Sequence, residues 1–210
     1  MKKNVLSWEI SVQQNSIQEN LDRLSKKIIE RYDVKLETWG ERPLKVRKKE
    51  MFEIYNDAWN DNFGFVPFTE KEFNKILDDM QLVMNKKLFV FVYVKGEPAA
   101  FFGGVPNIFE NMVPKPGSKR NELIRAVKMI LKNSKIKGFR IGYLGVKKKF
   151  RHMGLDGVML WKQSQVSKAL GFEYSDMGWV LEDNKPTVRL IERCGALPSK
   201  KYAIFEKSLI

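Results

Sequence analysis

The stretch that decides the fold is residues 144–161, LGVKKKFRHMGLDGVMLW. It begins at the end of a segment, residues 140–146, that alternates apolar with β-branched or aromatic side chains, as a strand does. Four basic residues then fall within five positions, and Gly154 opens a segment whose apolar residues recur at helical spacing. The sequence therefore predicts a strand, a basic loop and a helix that begins at a glycine.

A helix that begins in this way is suited to an anionic ligand. Its first amide groups have no partner within the helix and carry the positive end of the helix dipole, so a pyrophosphate fits there. A glycine has no side chain to hold the phosphate away from the amides. The local pattern alone fits an ordinary strand-to-helix turn with solvated lysines better, because that order of elements is common. The elements that follow decide between the two interpretations.

Four further elements follow the loop. The helix ends at Gly171, a strand is predicted over residues 172–180, and a short helix runs to Cys194 before a last strand near residues 201–207. This order resembles that of the GNAT superfamily of N-acetyltransferases. The resemblance implies a mixed α/β fold like that of acyl-CoA N-acyltransferases, with a mostly antiparallel sheet, flanking helices and a splayed central strand pair.

The phosphate loop of that superfamily has the pattern R/Q-x-x-G-x-G/A. Here Arg151 and Gly154 fit the pattern, whereas Asp156 stands where the family prefers glycine or alanine. An aspartate in the first turn suits the helix dipole but repels a phosphate. The resemblance implies acetyl-CoA, or another acyl-CoA, as the cofactor. Its pyrophosphate would be surrounded by Arg151, His152, Met153, Gly154, Leu155 and Asp156.

The resemblance also assigns contacts to the pantetheine arm of the cofactor, which enters between the two splayed strands. Leu144, Gly145 and Val146 would be its backbone partners, and Asn184 at the start of the last helix would contact it. Asn184 equally suits an N-cap, because Pro186 follows near the first helical position. The lysines at 147–149 suit either the 3′-phosphate or a solvated surface.

The catalytic groups are less well marked. Many family members carry a tyrosine seven positions after the asparagine, as the acid for the departing thiolate, but Ile191 stands there. Glu182, at the end of a splayed strand, is our prediction for the base that deprotonates the amine, and Tyr143 and Tyr202 are further candidates. A structural role as a cap, an ion pair or a core phenol ranks above the catalytic role for each of them.

An unusual aromatic and amide-rich stretch, residues 55–68, YNDAWNDNFGFVPF, separates two amphipathic helices. Loops lie at the surface, so these aromatic side chains either cover the core or line a cleft. In the superfamily the corresponding connection borders the acceptor, and a similar Y-N-x-A-W…G-F-V-P run occurs in one of its poorly characterised branches. The predicted acceptor-binding residues are Tyr55, Trp59, Asn62 and Phe63.

We interpret residues 1–210 as one domain with an N-terminal helical extension, about residues 1–33, and a helical insert, about residues 107–137. Residues 1–14 are ambiguous, although a short strand fits them. The remaining predicted elements are strands 34–39, 88–94 and 99–105, and helices 44–60, from 69 onward and 121–131.

The composition limits the class of protein. A hydrophobic content of 43% with 30% charged residues is globular. No apolar run approaches a membrane span, residues 1–10 lack a signal-peptide core, and Cys194 is the only cysteine, which together predict a cytoplasmic protein without disulfides. No zinc-type ligand spacing, Walker loop or helix-turn-helix signature is present, so we predict no metal site.

The net charge of +13 favours anionic partners, such as coenzyme A or a nucleic acid. Because the lysines are spread along the whole chain, nucleic acid is permitted but not favoured. We therefore predict an acetyl-CoA-dependent N-acyltransferase that acts on a small amine or a peptide amine. The alternatives are an aminoacyl-tRNA-dependent transferase of the same fold and a non-catalytic module that binds acyl-CoA or nucleic acid. The sequence predicts no oligomeric state.

Overall fold

A seven-stranded sheet forms the centre of the computed structural model, which describes residues 3–12, 16–81, 84–111 and 136–207. The strand order is β2-β3-β4-β5-β6-β1-β7, and only the β5–β6 pairing is parallel. The predicted mixed, mostly antiparallel sheet is therefore confirmed. The strands are β1 Lys3–Ser11, β2 Val34–Thr38, β3 Phe89–Val94, β4 Glu97–Pro106, β5 Gly138–Val146, β6 Tyr174–Leu181 and β7 Leu197–Ile204.

Helices cover both faces of this sheet, as the buried strand β3 shows. Phe91 and Tyr93 pack into one hydrophobic cluster and Val92 into another, because successive side chains of a strand point to opposite faces. The first cluster lies under α2 and α3, and the second lies under α1, α4 and α5. The helices are α1 Ser16–Tyr32, α2 Leu44–Trp59, α3 Glu70–Met80, α4 Leu155–Ala169 and α5 Lys185–Arg193.

The N-terminal strand lies inside the sheet. Ile10 of β1 pairs with Ser175 of β6, and on its other edge Val5 pairs with Tyr202 of β7. Trp8 of β1 is only 1% exposed. Residues 3–33 therefore supply a sheet strand as well as a helix, which is more than the predicted helical extension. The predicted domain boundaries stay a prediction, and the predicted helix 121–131 lies outside the described residues.

The central strands β5 and β6 separate after four residues. They pair from Gly138 with Tyr174 to Ile141 with Met177. Beyond that point, among the strands that the structure describes, β5 pairs only with β4 and β6 only with β1. A β-bulge at Gly142 lies directly after the last pair in β5, and the β6 register shifts between Met177 and Val180. Bulges increase the local twist, so they account for the separation. The predicted splayed pair is confirmed.

Two predicted boundaries need correction. Helix α2 ends at Trp59, in agreement with the predicted helix 44–60, so residues 55–59 of the aromatic stretch are helical and the connection to α3 spans only residues 60–69. The last strand begins at Leu197, earlier than predicted, because Pro198 is tolerated in an edge strand that needs no amide donor there. None of the helices in the described part of the chain combines the length and the apolar composition of a membrane span.

Candidate functional site

The separated strands leave backbone groups without a strand partner. Leu144, Gly145 and Val146 pair on one side with Phe102, Phe101 and Ala100 of β4. Within the described part of the chain, no strand pairs with their other edge. Backbone amide and carbonyl groups there are available to an extended ligand, in the way that peptides add to a sheet edge. The gap that the resemblance implies for a pantetheine arm is present, and its use stays a prediction.

The loop after β5 is attached to the end of α2. The Lys148 amide donates to Asp57 Oδ2 at 2.9 Å, and Arg151 Nη2 donates to the carbonyl oxygen of Ala58 at 2.9 Å. A short 3-10 turn, Lys148–Phe150, lies between these two contacts. These bonds fix the loop beside the separated strands, so that Arg151 stands close to the start of α4.

The lysines of this loop have carboxylate partners. Lys147 Nζ lies 3.7 Å from Glu53, Lys148 Nζ lies 2.7 Å from Asp61, and Lys149 pairs with Glu97. Such exposed pairs contribute only about 0–1 kcal/mol each, so a phosphate could replace a carboxylate at little cost. The geometry permits the predicted contact with a 3′-phosphate, which stays a prediction.

Gly154 is required by the backbone itself. Its φ is +75°, in the left-handed region that favours glycine, and a Cβ there would lie 2.8 Å from Ile28 Cδ1 of α1. The glycine is therefore needed whether or not a phosphate binds. Helix α4 starts at Leu155, and Asp156 Oδ1 accepts a hydrogen bond from the Gly157 amide at 3.0 Å. The Asp156 carboxylate therefore already accepts a hydrogen bond from one of the amide groups that a phosphate would use.

The last helix, α5, has an N-cap residue, but Ile191 stands where the superfamily carries a tyrosine. Asn184 is the N-cap of α5, and its side chain accepts a hydrogen bond from the Thr187 amide at 3.5 Å. The N-cap role is therefore confirmed, and the contact with pantetheine stays a prediction. Ile191 is 4% exposed and packs in the core. In the superfamily this position carries a tyrosine that acts as a general acid. In this chain it holds a core residue, Ile191.

Glu182 accepts hydrogen bonds that make its carboxylate a weaker base. Its carboxylate accepts hydrogen bonds from Asn4 Nδ2 at 2.5 Å and Lys201 Nζ at 3.0 Å. These two donors, Asn4 first, lower the pKa of Glu182. A carboxylate with a lowered pKa accepts a proton less readily. The geometry therefore argues against the predicted role, which stays a prediction.

The two candidate tyrosines stand on different parts of the sheet. Tyr143 follows the bulge of β5, and its hydroxyl lies 3.9 Å from Met80 Sδ of α3. Burial raises the pKa of Tyr143. Tyr202 of β7 contacts the ring of Trp179 edge-on, with 5.9 Å between ring centroids, and Trp179 lies at the irregular part of β6. The structure therefore brings both phenols near the separated strands but not to one point.

The aromatic stretch is divided between the core and the surface, and its role at an acceptor site stays a prediction. Trp59 packs against β5, where a Cβ at Gly145 would lie 2.2 Å from the Trp59 ring, and Tyr55 stacks on Trp59. Both aromatic residues are partly buried and pack against the core cluster under α2. Asn62 and Phe63 are exposed, and Lys3 Nζ of β1 lies 5.4 Å from the Phe63 ring centroid. The connection therefore reaches from α2 across the open end of the strand pair to β1.

Sequence reasoning missed a polar pair on β1 and β6. Ser7 Oγ donates to Asp176 Oδ1 at 2.5 Å, and both residues are buried. Asp176 precedes Met177, the last residue of β6 that pairs with β5. On β5, Arg140 lies over the Trp179 ring at 4.8 Å, and its Nη2 has no partner among the described residues. A carboxylate within the predicted strand 172–180 was the signal available for Asp176.

Two curated relatives match this chain. A bacterial ceramide synthase from Caulobacter vibrioides is 33% identical over 161 residues, which are 75% of this chain and 42% of that protein. Protein YghO from Escherichia coli is 29% identical over 161 residues, which are 75% of this chain and 41% of that protein. The chain thus spans less than half the length of either relative. No family model matches it.

The fold also has counterparts among solved structures. A GCN5-related N-acetyltransferase from Sphaerobacter thermophilus aligns with 96% of this chain and 50% of its own, with a TM-score of 0.59 and 13% sequence identity. At this identity the likeness concerns the fold alone. The chain therefore has the fold of the GCN5-related N-acetyltransferases, as the sequence resemblance implied.

Proposed function

We propose that this chain is an acyl-CoA-dependent N-acyltransferase, with acetyl-CoA the first donor to test and a small amine or a peptide amine as the acceptor. One observation carries the proposal. Among the described residues, no strand pairs with the edge of β5 at Leu144–Val146 that faces the separation, and the same chain segment continues directly into the loop and the start of α4. The edge and the helix start suit the two ends of a coenzyme A molecule.

The residues divide the binding between them. The edge of β5 would pair with the amides of the pantetheine arm, Asn184 would contact that arm, and residues 151–156 would surround the pyrophosphate. Bound acyl-CoA supplies an activated acyl group as a thioester. The Cys194 thiol does not compete for that group, because burial, with a smaller effect of Asp156, raises its pKa to about 11. Its being the only cysteine agrees with a cytoplasmic location, which is part of the proposal.

Proton transfer falls to the groups around the strand separation. An amine acceptor is mostly protonated at neutral pH and must lose a proton before it attacks. Asp176 accepts a hydrogen bond from Ser7 and lies 3.7 Å from Lys200 Nζ; we select it as the base because it is buried and stands one residue before the separation. Tyr143, like any tyrosine, is protonated at neutral pH and can return a proton to the leaving thiolate, although burial raises its pKa and makes it a weaker acid. The exposed side chains of Asn62 and Phe63 would border the acceptor.

One curated relative supports the reaction class. A ceramide is an amide of an acyl chain with an amine, so the name of the Caulobacter vibrioides relative is consistent with N-acyl transfer. The match covers less than half of that protein, so the acceptor of the present chain is not inferred from it.

A thermal-shift titration with acetyl-CoA tests the proposal. A ligand at about one hundred times its dissociation constant stabilises a protein by roughly 2.7 kcal/mol, so the melting temperature should rise. Adenosine monophosphate at the same concentration is the control for nucleotide binding alone. A screen of amines with a thiol-release assay then identifies the acceptor. No shift with millimolar acetyl-CoA or longer acyl-CoA esters would refute the cofactor assignment.

The net charge of +13 supports a second candidate, an aminoacyl-tRNA-dependent transferase of the same fold. Binding to a polyanion releases counterions, so its affinity falls steeply with salt. Tight tRNA binding with a steep salt dependence, together with no response to CoA esters, would favour this candidate. The non-catalytic module would bind CoA esters or nucleic acid without turnover of any amine.

A further inference from the structure

A cavity lies against the paired part of β5 and β6, on the side of the sheet that α4 covers. Its volume is about 70 Å³, and it lies between the sheet and helix α4. Ile141 and Met177, the last paired residues of the two strands, both line it. A single water needs only about 10–15 Å³ by this measure, so the cavity has room for several linked atoms.

The walls of the cavity are mostly apolar. Phe139 and Val12 line it from the sheet side, and Leu160 lines it from α4. Each of these three residues is less than 9% exposed, and all belong to the core cluster under α4. A space enclosed by such residues favours hydrocarbon over water.

One wall residue is polar and without a partner. Gln163 of α4 is 2% exposed and lines the cavity. Neither its Nε2 nor its Oε1 has a hydrogen-bond partner among the residues that the structure describes. Buried amides are almost always hydrogen-bonded, and an unpaired one costs free energy. The Gln163 side chain is therefore suited to pair with a polar group of a ligand in the cavity.

We infer that this cavity accepts the distal part of an acyl chain longer than acetyl, and that Gln163 pairs with a hydroxyl group on that chain. The inference rests on the proposed function, which places the thioester near the separation of β5 and β6. From there the chain passes Ile141 and Met177 into the cavity. The donor class is thus a short or medium-chain acyl-CoA, with a hydroxylated chain preferred.

Calorimetric titration of the full chain with acetyl-, butyryl-, hexanoyl- and octanoyl-CoA tests the cavity. Each buried methylene contributes about 0.8 kcal/mol, which is roughly a fourfold gain in affinity. The dissociation constant should therefore fall by about tenfold or more from acetyl- to butyryl-CoA and level off once the cavity is filled. Equal dissociation constants for all four esters would overturn the inference and leave the proposed function standing. Failure of every ester to bind would refute both.

A pair of variants on α4 locates the effect. Ser167 lines the cavity and is 1% exposed, so Ser167→Leu should fill the space and remove the chain-length gain, with acetyl-CoA affinity changed less than about threefold. Ala169→Leu adds the same bulk at an exposed position of the same helix and should keep the gain. A gain that persists in folded Ser167→Leu overturns the location. If Ser167→Leu does not fold, the titration of the parent protein with the four esters still tests whether the cavity binds the acyl chain.

Gln163 is tested with hexanoyl-CoA and its 3-hydroxy and 6-hydroxy forms. A net hydrogen bond is worth about 0.5–1.5 kcal/mol, so at least one hydroxylated ester should bind about two- to tenfold more tightly than the plain ester. Gln163→Leu should remove this preference and retain the affinity for hexanoyl-CoA. If neither hydroxylated ester gains affinity in the parent, the role of Gln163 is wrong.

Discussion

At the scale of single residues, Asp156 is the clearest departure from the phosphate loop that the chain resembles. Its carboxylate accepts a hydrogen bond from the Gly157 amide and places a negative charge beside the predicted site of the pyrophosphate. Asp156→Ala frees the amide and removes the repulsion, so the dissociation constant for coenzyme A should fall by about threefold or more. The melting temperature should fall slightly, because an acidic residue in the first turn stabilises a helix.

Titration calorimetry measures the dissociation constant for coenzyme A, and scanning calorimetry measures the melting temperature. Asp79→Ala on α3 is the matched control, since it removes the same charge from an exposed position on the other face of the sheet. It should leave the affinity for coenzyme A unchanged. An equal change in the two variants would mean that net charge, not the loop, sets the affinity.

Two carboxylates compete for the role of the base. Asp176→Asn should lower kcat by at least about tenfold, since general base catalysis typically contributes about 10²–10⁴-fold. Glu182→Gln should change kcat by less than about threefold and lower the melting temperature at neutral pH, because the hydrogen bonds from Asn4 and Lys201 are weakened. Steady-state kinetics with the acceptor from the amine screen decides. A tenfold loss in Glu182→Gln alone would restore that residue as the base.

At this scale, the sequence indicated which single positions are special, but it did not predict contacts between distant residues. Gly154 and Asn184 were singled out because glycine and asparagine have strong local preferences, and the cofactor contacts predicted for them stay a prediction. Their observed roles are a left-handed backbone and an N-cap, both of which act within a few residues. The Ser7–Asp176 pair joins positions 169 residues apart, and no local pattern reports such a contact.

At the scale of elements, strand β1 holds β6 and β7 together. Trp8 is the large buried residue of this strand, and Trp8→Ala should destabilise the protein by about 3–5 kcal/mol through the cavity it leaves. Glu9→Ala, at the adjacent exposed position, should change stability by less than about 0.5 kcal/mol. Chemical denaturation measures both variants. Equal stabilities would show that β1 does not belong to the cooperative unit.

The order of the elements was predictable, whereas the place of β1 in the sheet was not. Helical spacing identified α2, α3 and α4, and the apolar residues at 88–94 identified β3 as a strand. Strand pairing depends on contacts between distant parts of the chain, so the alternation of Trp8, Ile10 and Val12 could suggest a strand but not its neighbours. The splay came from the resemblance, since no residue pattern predicts that β5 and β6 part after Ile141.

At the scale of the whole molecule, a buried ion network sets the response to acid. Arg47 is fully buried and donates to Glu37 at 2.9 Å and to Glu50 at 3.0 Å. Burial raises the pKa of Glu37, but hydrogen bonds from Arg42, Lys35 and Arg47 outweigh burial and hold it at about 2. The ordinary value is 4.5. The stabilisation is therefore complete above about pH 4.5 and is lost as the pH falls towards 2.

Glu37→Gln isolates this contribution. A lowering of the pKa from 4.5 to about 2 corresponds to roughly 3 kcal/mol, so the variant should be less stable than the parent by about that amount at pH 7. The difference should shrink as the pH falls from 4.5 towards 2. Urea denaturation across this range measures it. A difference that does not vary with pH would show that the loss is one of packing, not of charge.

The central claim is that the separated strands and the start of α4 hold an acyl-CoA. Hydrogen exchange measured by mass spectrometry, with and without saturating acetyl-CoA, tests it most directly, because the ligand should occupy backbone groups on that edge. We expect slower exchange in peptides that cover residues 142–158 and no change in peptides of β2 and β3, which lie at the other end of the sheet. Unchanged exchange in residues 142–158, with acetyl-CoA bound at saturation, would contradict the claim.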